Sequence, residues 1–115
     1  MLIDIDNMRL RAALDRAVQN SFARYLRATE LAREEFEKAD QAIWNRYDHW
    51  YSTAANTAAR ASVIAAYKDE LYPWAAVYSR AVESADISRK RDKAKIDALL
   101  QEPDLETKIR LLAYL

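Results

Sequence analysis

The chain of 115 residues contains no glycine, although average usage would give roughly eight. Glycine adopts positive φ without steric cost, so its absence disfavours tight β-hairpins, glycine-capped helix ends and glycine-rich phosphate loops. Proline is also scarce, and its two copies, Pro73 and Pro103, come late in the chain. The sequence before Pro73 therefore lacks both strong helix breakers, and this composition predicts an all-α fold.

Cysteine is absent as well, which excludes disulfides, cysteine metal sites and cysteine nucleophiles. The first residues lack the basic stretch and apolar run of a signal peptide. No run approaches the roughly 18 apolar residues that span a bilayer. Basic and acidic side chains balance at 18 each, so no net field favours DNA or a membrane. We expect a soluble, cytoplasmic protein folded as a single all-α domain over residues 1–115.

Apolar side chains recur every eleven residues in the first half of the chain. Three columns with this spacing contain apolar residues, tyrosines and a single serine: Leu10, Ser21, Ala32, Ile43, Ala54; Leu14, Tyr25, Phe36, Tyr47, Ala58; Ala17, Ala28, Ala39, Trp50, Ala61. Eleven residues fill three turns at about 3.67 residues per turn, so the stripe stays on one helix face. This pattern predicts one long helix over roughly 6–50, with Asp4 or Asp6 as its N-cap.

The length of this helix bears on association. About 45 residues would extend roughly 68 Å, whereas a compact domain of this size is only about 35 Å across. Either the helix breaks at the polar stretch Gln19–Ser21, or its overhang packs on a second copy of the chain. Because the apolar stripe continues through that stretch in phase, we favour the second alternative and predict a homodimer.

A second helix is predicted over roughly 54–86, capped by Ser52 or Thr53. Its apolar seam steps by three and four residues through Ile64, Tyr67, Leu71, Trp74, Tyr78, Ala81 and Ala85. Pro73 lies inside this seam. It either kinks the helix near Asp69 or occupies the first turn of a new helix, and we favour the kink.

Two shorter helices are expected at the C-terminal end. Asp86 or Ser88 could cap one over roughly 88–101, and Pro103-Asp104 indicates the start of another over 104–115. The predicted fold is an elongated all-α bundle, with the long N-terminal helix in an antiparallel hairpin plus two shorter C-terminal helices.

Catalytic and metal-binding patterns are not evident in the sequence. The chain has one histidine, His49, and its neighbours Asp48 and Ser52 supply no oxyanion hole. A di-metal helical bundle would need Glu-x-x-His, but the residue three before His49 is Arg46. We therefore predict a non-enzymatic protein with no catalytic residue, no metal and no cofactor.

Aromatic residues concentrate between residues 44 and 78. Helical spacing does not allow all of them to face inward, and outward tryptophan and tyrosine are typical of binding hot spots. The predicted protein-binding residues are the exposed members of one set: Trp44, Tyr47, Trp50, Tyr51, Tyr72 and Trp74. The sequence thus predicts a protein-protein interaction function, as an adaptor, inhibitor or assembly factor.

A basic run provides the alternative function. Residues 88–95 carry five basic side chains against one acid: Arg89, Lys90, Arg91, Lys93 and Lys95, with Asp92. Two copies of this run in a dimer could grip phosphates, which would make the protein a dimeric nucleic-acid-binding regulator. Few bulky apolar residues accompany the run, so membrane binding is not predicted.

Overall fold

The computed structural model describes residues 4–115 of the chain. They form three helices, α1 (Ile5–Thr53), α2 (Thr57–Leu99) and α3 (Leu105–Leu112), and this range contains no strand. The predicted all-α fold is confirmed. Over the same residues, no helix combines the length and the apolar character needed to cross a bilayer.

Helix α1 runs without interruption through Gln19–Ser21, so the break considered there is absent. It begins after Asp4, whose side chain accepts a hydrogen bond from the Asn7 amide at 3.0 Å. From residue 10 to residue 47, every member of the columns that begin at Leu10 and Leu14 is buried or partly buried. The eleven-residue period therefore describes the packed face of this helix for these two columns, whereas in the third column Ala28 and Trp50 are exposed.

The connection between α1 and α2 lies at residues 54–56, within the stretch between His49 and Asn56 where the sequence predicts it, but the capping residue differs from the prediction. Ser52 and Thr53 cap nothing, because both belong to the last turn of α1, where the Thr53 hydroxyl donates to the His49 carbonyl at 2.8 Å. The cap of α2 is Asn56, whose side chain accepts a hydrogen bond from the Ala59 amide at 2.8 Å. Asparagine at this position satisfies an otherwise unpaired amide of the first turn.

Helix α2 continues through Pro73 and through the boundary predicted at residues 86–88. Pro73 does not start a new helix. It lies on the exposed side with Asp69, where water can satisfy the carbonyl that loses its helical partner. Asp86 makes an i,i+4 ion pair with Lys90 at 3.0 Å instead of capping a helix. The helices expected over 54–86 and 88–101 are consequently one helix.

The chain packs as two units. Unit 1 comprises the chain up to Ala28 together with Ser84–Leu115, and unit 2 comprises Thr29–Glu83. The core of unit 1 contains Ala17, Ile96 and Leu112, one from each helix. Aliphatic side chains surround it: Leu10, Ala13, Leu14, Leu99, Leu100 and Leu115. Asp104 caps α3 as predicted, accepting from the Thr107 amide at 3.0 Å.

In unit 2, the second half of α1 packs antiparallel to the first half of α2. Phe36 and Tyr78 meet with ring centroids 5.5 Å apart. Ile43 is buried between the helices, and the remaining contacts are mostly aromatic. Unit 2 is therefore a two-helix layer with a small interior.

Helix α1 does not need a second copy of the chain to cover its length. It has 49 residues and α2 has 43, so α1 finds a partner helix within its own chain in both units. Ser21 contacts Asp92 in unit 1, and Arg46 contacts Glu70 in unit 2. The prediction that α1 extends beyond its own domain assumes a compact domain. That assumption is wrong, because the second helix is nearly as long as the first. The homodimer itself stays a prediction.

Candidate functional site

Two ion pairs join α1 to α2 at equivalent places. In unit 1, Arg24 pairs with Asp92 at 2.9 Å, and in unit 2, Arg46 pairs with Glu70 at 3.1 Å. The two arginines are separated by two eleven-residue repeats, and so are the two acids. Two such repeats make about six helical turns, so both pairs lie on corresponding faces of the same helices. In each unit, we call the face that carries this ion pair the arginine face.

In unit 1, α3 covers the arginine face. Arg24 also donates to a main-chain oxygen of Leu115 at 2.7 Å, and Arg9 forms a two-bond ion pair with Glu106 at 2.8 and 3.1 Å. Between these polar contacts, Leu112 is only 1% exposed and packs with Ala17 and Ile96. A short amphipathic helix thus closes this side of the α1–α2 layer.

In unit 2, the corresponding face of the α1–α2 pair is open. Trp74 precedes the buried Ile96 by two eleven-residue repeats, and Val77 precedes Leu99, which packs against the core, by the same interval. Yet Trp74 is 45% exposed and Val77 is 53% exposed. Trp50, one turn beyond Arg46, is 55% exposed. We call Trp50, Trp74 and Val77, with the ion pair Arg46–Glu70, the tryptophan face.

The geometry of the tryptophan face follows from the helix direction. Trp50 lies one turn from Arg46 towards the α1–α2 connection, and Trp74 lies one turn from Glu70 in the opposite direction. Phe36 and Tyr78 face each other across the same two helices, and taking them as level places the tryptophans about 15 Å apart along the helices. The face therefore presents two large apolar side chains on either side of a charged pair.

An aromatic cluster supports this face. The ring centroid of Tyr67 lies 5.0 Å from that of Trp44 and 6.4 Å from that of Tyr47, in edge-to-face geometry. Tyr47 in turn meets Trp50 at 5.4 Å. The Tyr67 hydroxyl donates to Asp40, and this bond together with burial raises the pKa of Tyr67 to about 12. Trp50 is thereby held at the edge of a packed cluster.

The structure divides the six predicted protein-binding residues into four groups. Trp44 and Tyr47 are partly buried, whereas Trp50 and Trp74 lie on the tryptophan face. Tyr51 packs on Trp44 at 5.7 Å. Tyr72 is exposed, but two residues are about 200° of helix rotation, so it points away from Trp74. The structure therefore does not bring all six onto one surface.

Sequence reasoning missed three members of the tryptophan face: Arg46, Glu70 and Val77. The signal was present, because the eleven-residue period applies to charged positions as well as to apolar ones. Arg24 and Arg46 occupy the same column, and Glu70 and Asp92 are offset by the same two repeats. Applying the eleven-residue spacing to the charged residues of both helices would have indicated the cross-helix ion pairs.

Several side chains of the basic run already have partners within the chain. The Arg89 guanidinium lies over the rings of Phe22 and Tyr25, at 5.0 and 5.3 Å, and Lys90 pairs with Asp86. Asp92 turns inward, accepting from Ser21 at 2.8 Å and from Arg24. Burial tends to raise the pKa of Asp92, but these hydrogen bonds outweigh it and lower the pKa.

The remaining basic side chains of the run, Arg91, Lys93 and Lys95, are exposed. His49 is also exposed, near the end of α1. Among residues 4–115, no three histidine or carboxylate side chains come close enough together to hold a metal ion.

The chain was compared with family models, curated proteins and solved structures. None of them matches it. The site must therefore be interpreted from its own chemistry.

Proposed function

We propose that this protein is a non-enzymatic interaction module, an adaptor, inhibitor or assembly factor, that binds an amphipathic helix of a partner protein on its tryptophan face. One observation carries the proposal. The arginine face of unit 1 is closed by α3, whereas two tryptophans stand exposed on the corresponding face of unit 2. Helix α3 is an example of the kind of segment that fits such a face.

The dimensions of the face suit a helical ligand. Anchor residues three turns apart on a helix are about 16 Å apart, which matches the spacing of Trp50 and Trp74. Tryptophan and arginine are the side chains most often found at binding hot spots. Both tryptophans lie on long helices, so little conformational entropy is lost on binding.

Charge specifies the partner further. Unit 2 contains six basic and nine acidic side chains, a net charge of −3. Acidic residues on the exposed side of α1 include Glu30, Glu34 and Glu35. We therefore propose that the partner helix combines apolar anchors with a basic rim, which would steer association electrostatically.

The test is affinity capture from the native host with matched baits. The baits are the wild type, Trp50→Ala, Trp74→Ala and, as a control, Tyr114→Ala, which removes an exposed aromatic ring of unit 1. We expect a protein that the wild type and the control retain and that both tryptophan variants lose. Its binding segment, made as a peptide, should be helical when bound and should bind Trp74→Ala more weakly by about 2 kcal/mol.

Equal binding of that peptide to wild type and to a folded Trp74→Ala variant would refute the tryptophan face as its site. Failure of the wild type to retain any protein that the tryptophan variants lose would count against the function itself. Circular dichroism of each bait checks that the variant is folded.

A second candidate function is nucleic-acid binding through the basic run. The inward position of Asp92 favours this function, because the exposed charged side chains of residues 89–95 are then all basic. Binding through these residues should weaken steeply between roughly 50 and 200 mM salt. The double variant Arg91→Glu/Lys95→Glu should abolish it, and unchanged DNA affinity in that variant would exclude the run.

A further inference from the structure

Unit 1 contains a groove whose walls come from α1 and α2 alone, so α3 does not fill it. Its volume is about 520 Å³. Leu14 and Leu100, both partly buried, line its floor beside the buried Ile96, and Val18, which also lines the groove, is 51% exposed. Phe22, one turn beyond Val18 on α1, is 43% exposed. An apolar strip of unit 1 is thus left uncovered by the chain's own third helix.

Charges of opposite sign occupy the two ends of this groove. Asp15 and Asp97 line one end, and Lys93 and Arg89 line the other. All four side chains are exposed. Within residues 4–115, no ion pair involves Asp15, Lys93 or Asp97. The groove therefore runs from an acidic end to a basic end along an apolar middle.

We propose that this groove is an antiparallel homodimer interface, in which the same groove of a second copy lies face to face with it. A two-fold axis across the helices reverses the groove end for end. The acidic end of each copy then meets the basic end of the other, and the apolar middles pack together. Interfaces of this isologous kind need a surface that is complementary to itself.

The positions of these residues along the two helices fit this two-fold symmetry. The contact between Ser21 and Asp92 sets the register of the antiparallel helices. Val18 comes three residues before Ser21 on α1, and Lys95 comes three residues after Asp92 on α2, so Val18 is level with Lys95. Lys95 is the midpoint between Lys93 and Asp97. An axis passing at that level places Val18 against the second copy's Val18. It also places Lys93 near the second copy's Asp97, and Asp97 near the second copy's Lys93.

Charge of both signs is what selects a second copy as the occupant. An anionic ligand would pair with the basic end of the groove but meet like charges at the acidic end, and a cationic ligand would do the reverse. A second copy satisfies both ends with the residues already present, since opposite charges across an interface determine which partner and which orientation bind. The groove is independent of the tryptophan face, which belongs to unit 2.

Sedimentation equilibrium of the full chain tests the interface. The wild type should have twice the 13.3 kDa mass of the chain. Lys93→Glu and Asp97→Lys should each weaken the dimer roughly tenfold, because each converts two attractive contacts into repulsive ones. An equimolar mixture of the two variants should recover the wild-type affinity as a heterodimer, and the double variant Lys93→Glu/Asp97→Lys should recover it as a homodimer.

Two further variants complete the test. Val18→Asp should give a monomer, because it places two carboxylates together at the axis. Arg91→Glu makes the same charge change as Lys93→Glu on the same helix but outside the groove, and it should leave the dimer intact. A monomeric wild type overturns the proposal, as does a dimer that neither Lys93→Glu nor Val18→Asp weakens. A monomer that still binds its partner through Trp74 would refute the dimer and leave the proposed function standing.

Discussion

The two units are built from the same two helices, and they differ in whether a third element covers the arginine face. In unit 1, α3 lies on that face and buries Ile96 and Leu112. In unit 2, the corresponding position of Ile96 is held by Trp74, which is exposed. A two-helix layer can bury only the stripe where its helices meet, so a second apolar stripe stays in water unless another helix covers it. The difference indicates where unit 2 has surface to offer a partner.

Charge follows the same division. Unit 1 carries twelve basic and nine acidic residues, a net charge of +3, whereas unit 2 carries six and nine, a net charge of −3. The balanced total of the whole chain conceals this asymmetry. Unit 1 contains the candidate phosphate-binding run, and the excess of acidic residues in unit 2 is what the proposed basic partner helix would meet.

The largest stability effect is expected from Leu112→Ala. Leu112 is the most deeply buried large side chain, so its truncation should lower the free energy of unfolding by about 2–5 kcal/mol. Chemical denaturation measures the loss. Hydrogen exchange should quicken mainly in unit 1, and equal quickening in unit 2 would show that the two units unfold together.

A smaller effect should distinguish the two cross-helix ion pairs. Asp92→Ala removes the partner of the buried Ser21 as well as that of Arg24, which should cost about 1–3 kcal/mol. Glu70→Ala breaks the equivalent but more exposed pair of unit 2 and should cost about 1 kcal/mol or less. Thermal unfolding of both variants compares them, and equal losses would contradict the difference in burial.

The aromatic cluster of unit 2 should show a modest dependence on one hydroxyl. Tyr67→Phe removes the bond to Asp40 and should cost about 1 kcal/mol at neutral pH. The pKa of Tyr67 is raised in the folded chain, from 10.0 to about 12, so the stability due to this bond is complete below about pH 10. It is lost as the pH rises towards about 12.

The pH dependence can be measured by comparing the unfolding of wild type and Tyr67→Phe from neutral to alkaline pH. The two curves should converge as Tyr67 ionises. A stability difference that does not shrink above pH 10 would argue against the tyrosine–aspartate bond.

A small stability effect is also expected from Trp74→Ala. The residue is 45% exposed, so the truncation removes only part of a tryptophan's buried area, and we expect the free energy of unfolding to fall by about 1 kcal/mol. The same variant should lose binding of the partner helix. A loss of stability as large as that of Leu112→Ala would mean that Trp74 is a packing residue, and the contrast between the two units would disappear.

Several features of the fold could be predicted from the sequence. The absence of glycine and the late prolines indicated helices, and the eleven-residue columns indicated the continuous face of α1. The cap of α2 and the single helix over Thr57–Leu99 were missed. Local signals such as Asp86, Ser88 and Pro73 resemble helix ends, but packing along the length of α1 outweighs weak boundary preferences.

The candidate site was only partly predictable. The sequence identified Trp50 and Trp74 as members of a binding set, but it could not separate them from Trp44, Tyr47 and Tyr72. Exposure depends on which helix faces another helix at that level, and this is a property of the pairing register. The eleven-residue repeat of the ion pairs would have provided that register.

The sequence by itself determined that the chain is helical and which stripe of α1 faces a neighbour, because both follow from backbone propensity and from the period of apolar side chains. Tertiary structure decided which face is covered and which is open. Helix α3 reaches the arginine face over Arg24 and Asp92 and leaves Arg46 and Glu70 without a third helix. That outcome depends on contacts between residues far apart in the chain, such as Arg24 with Leu115, which no local pattern encodes.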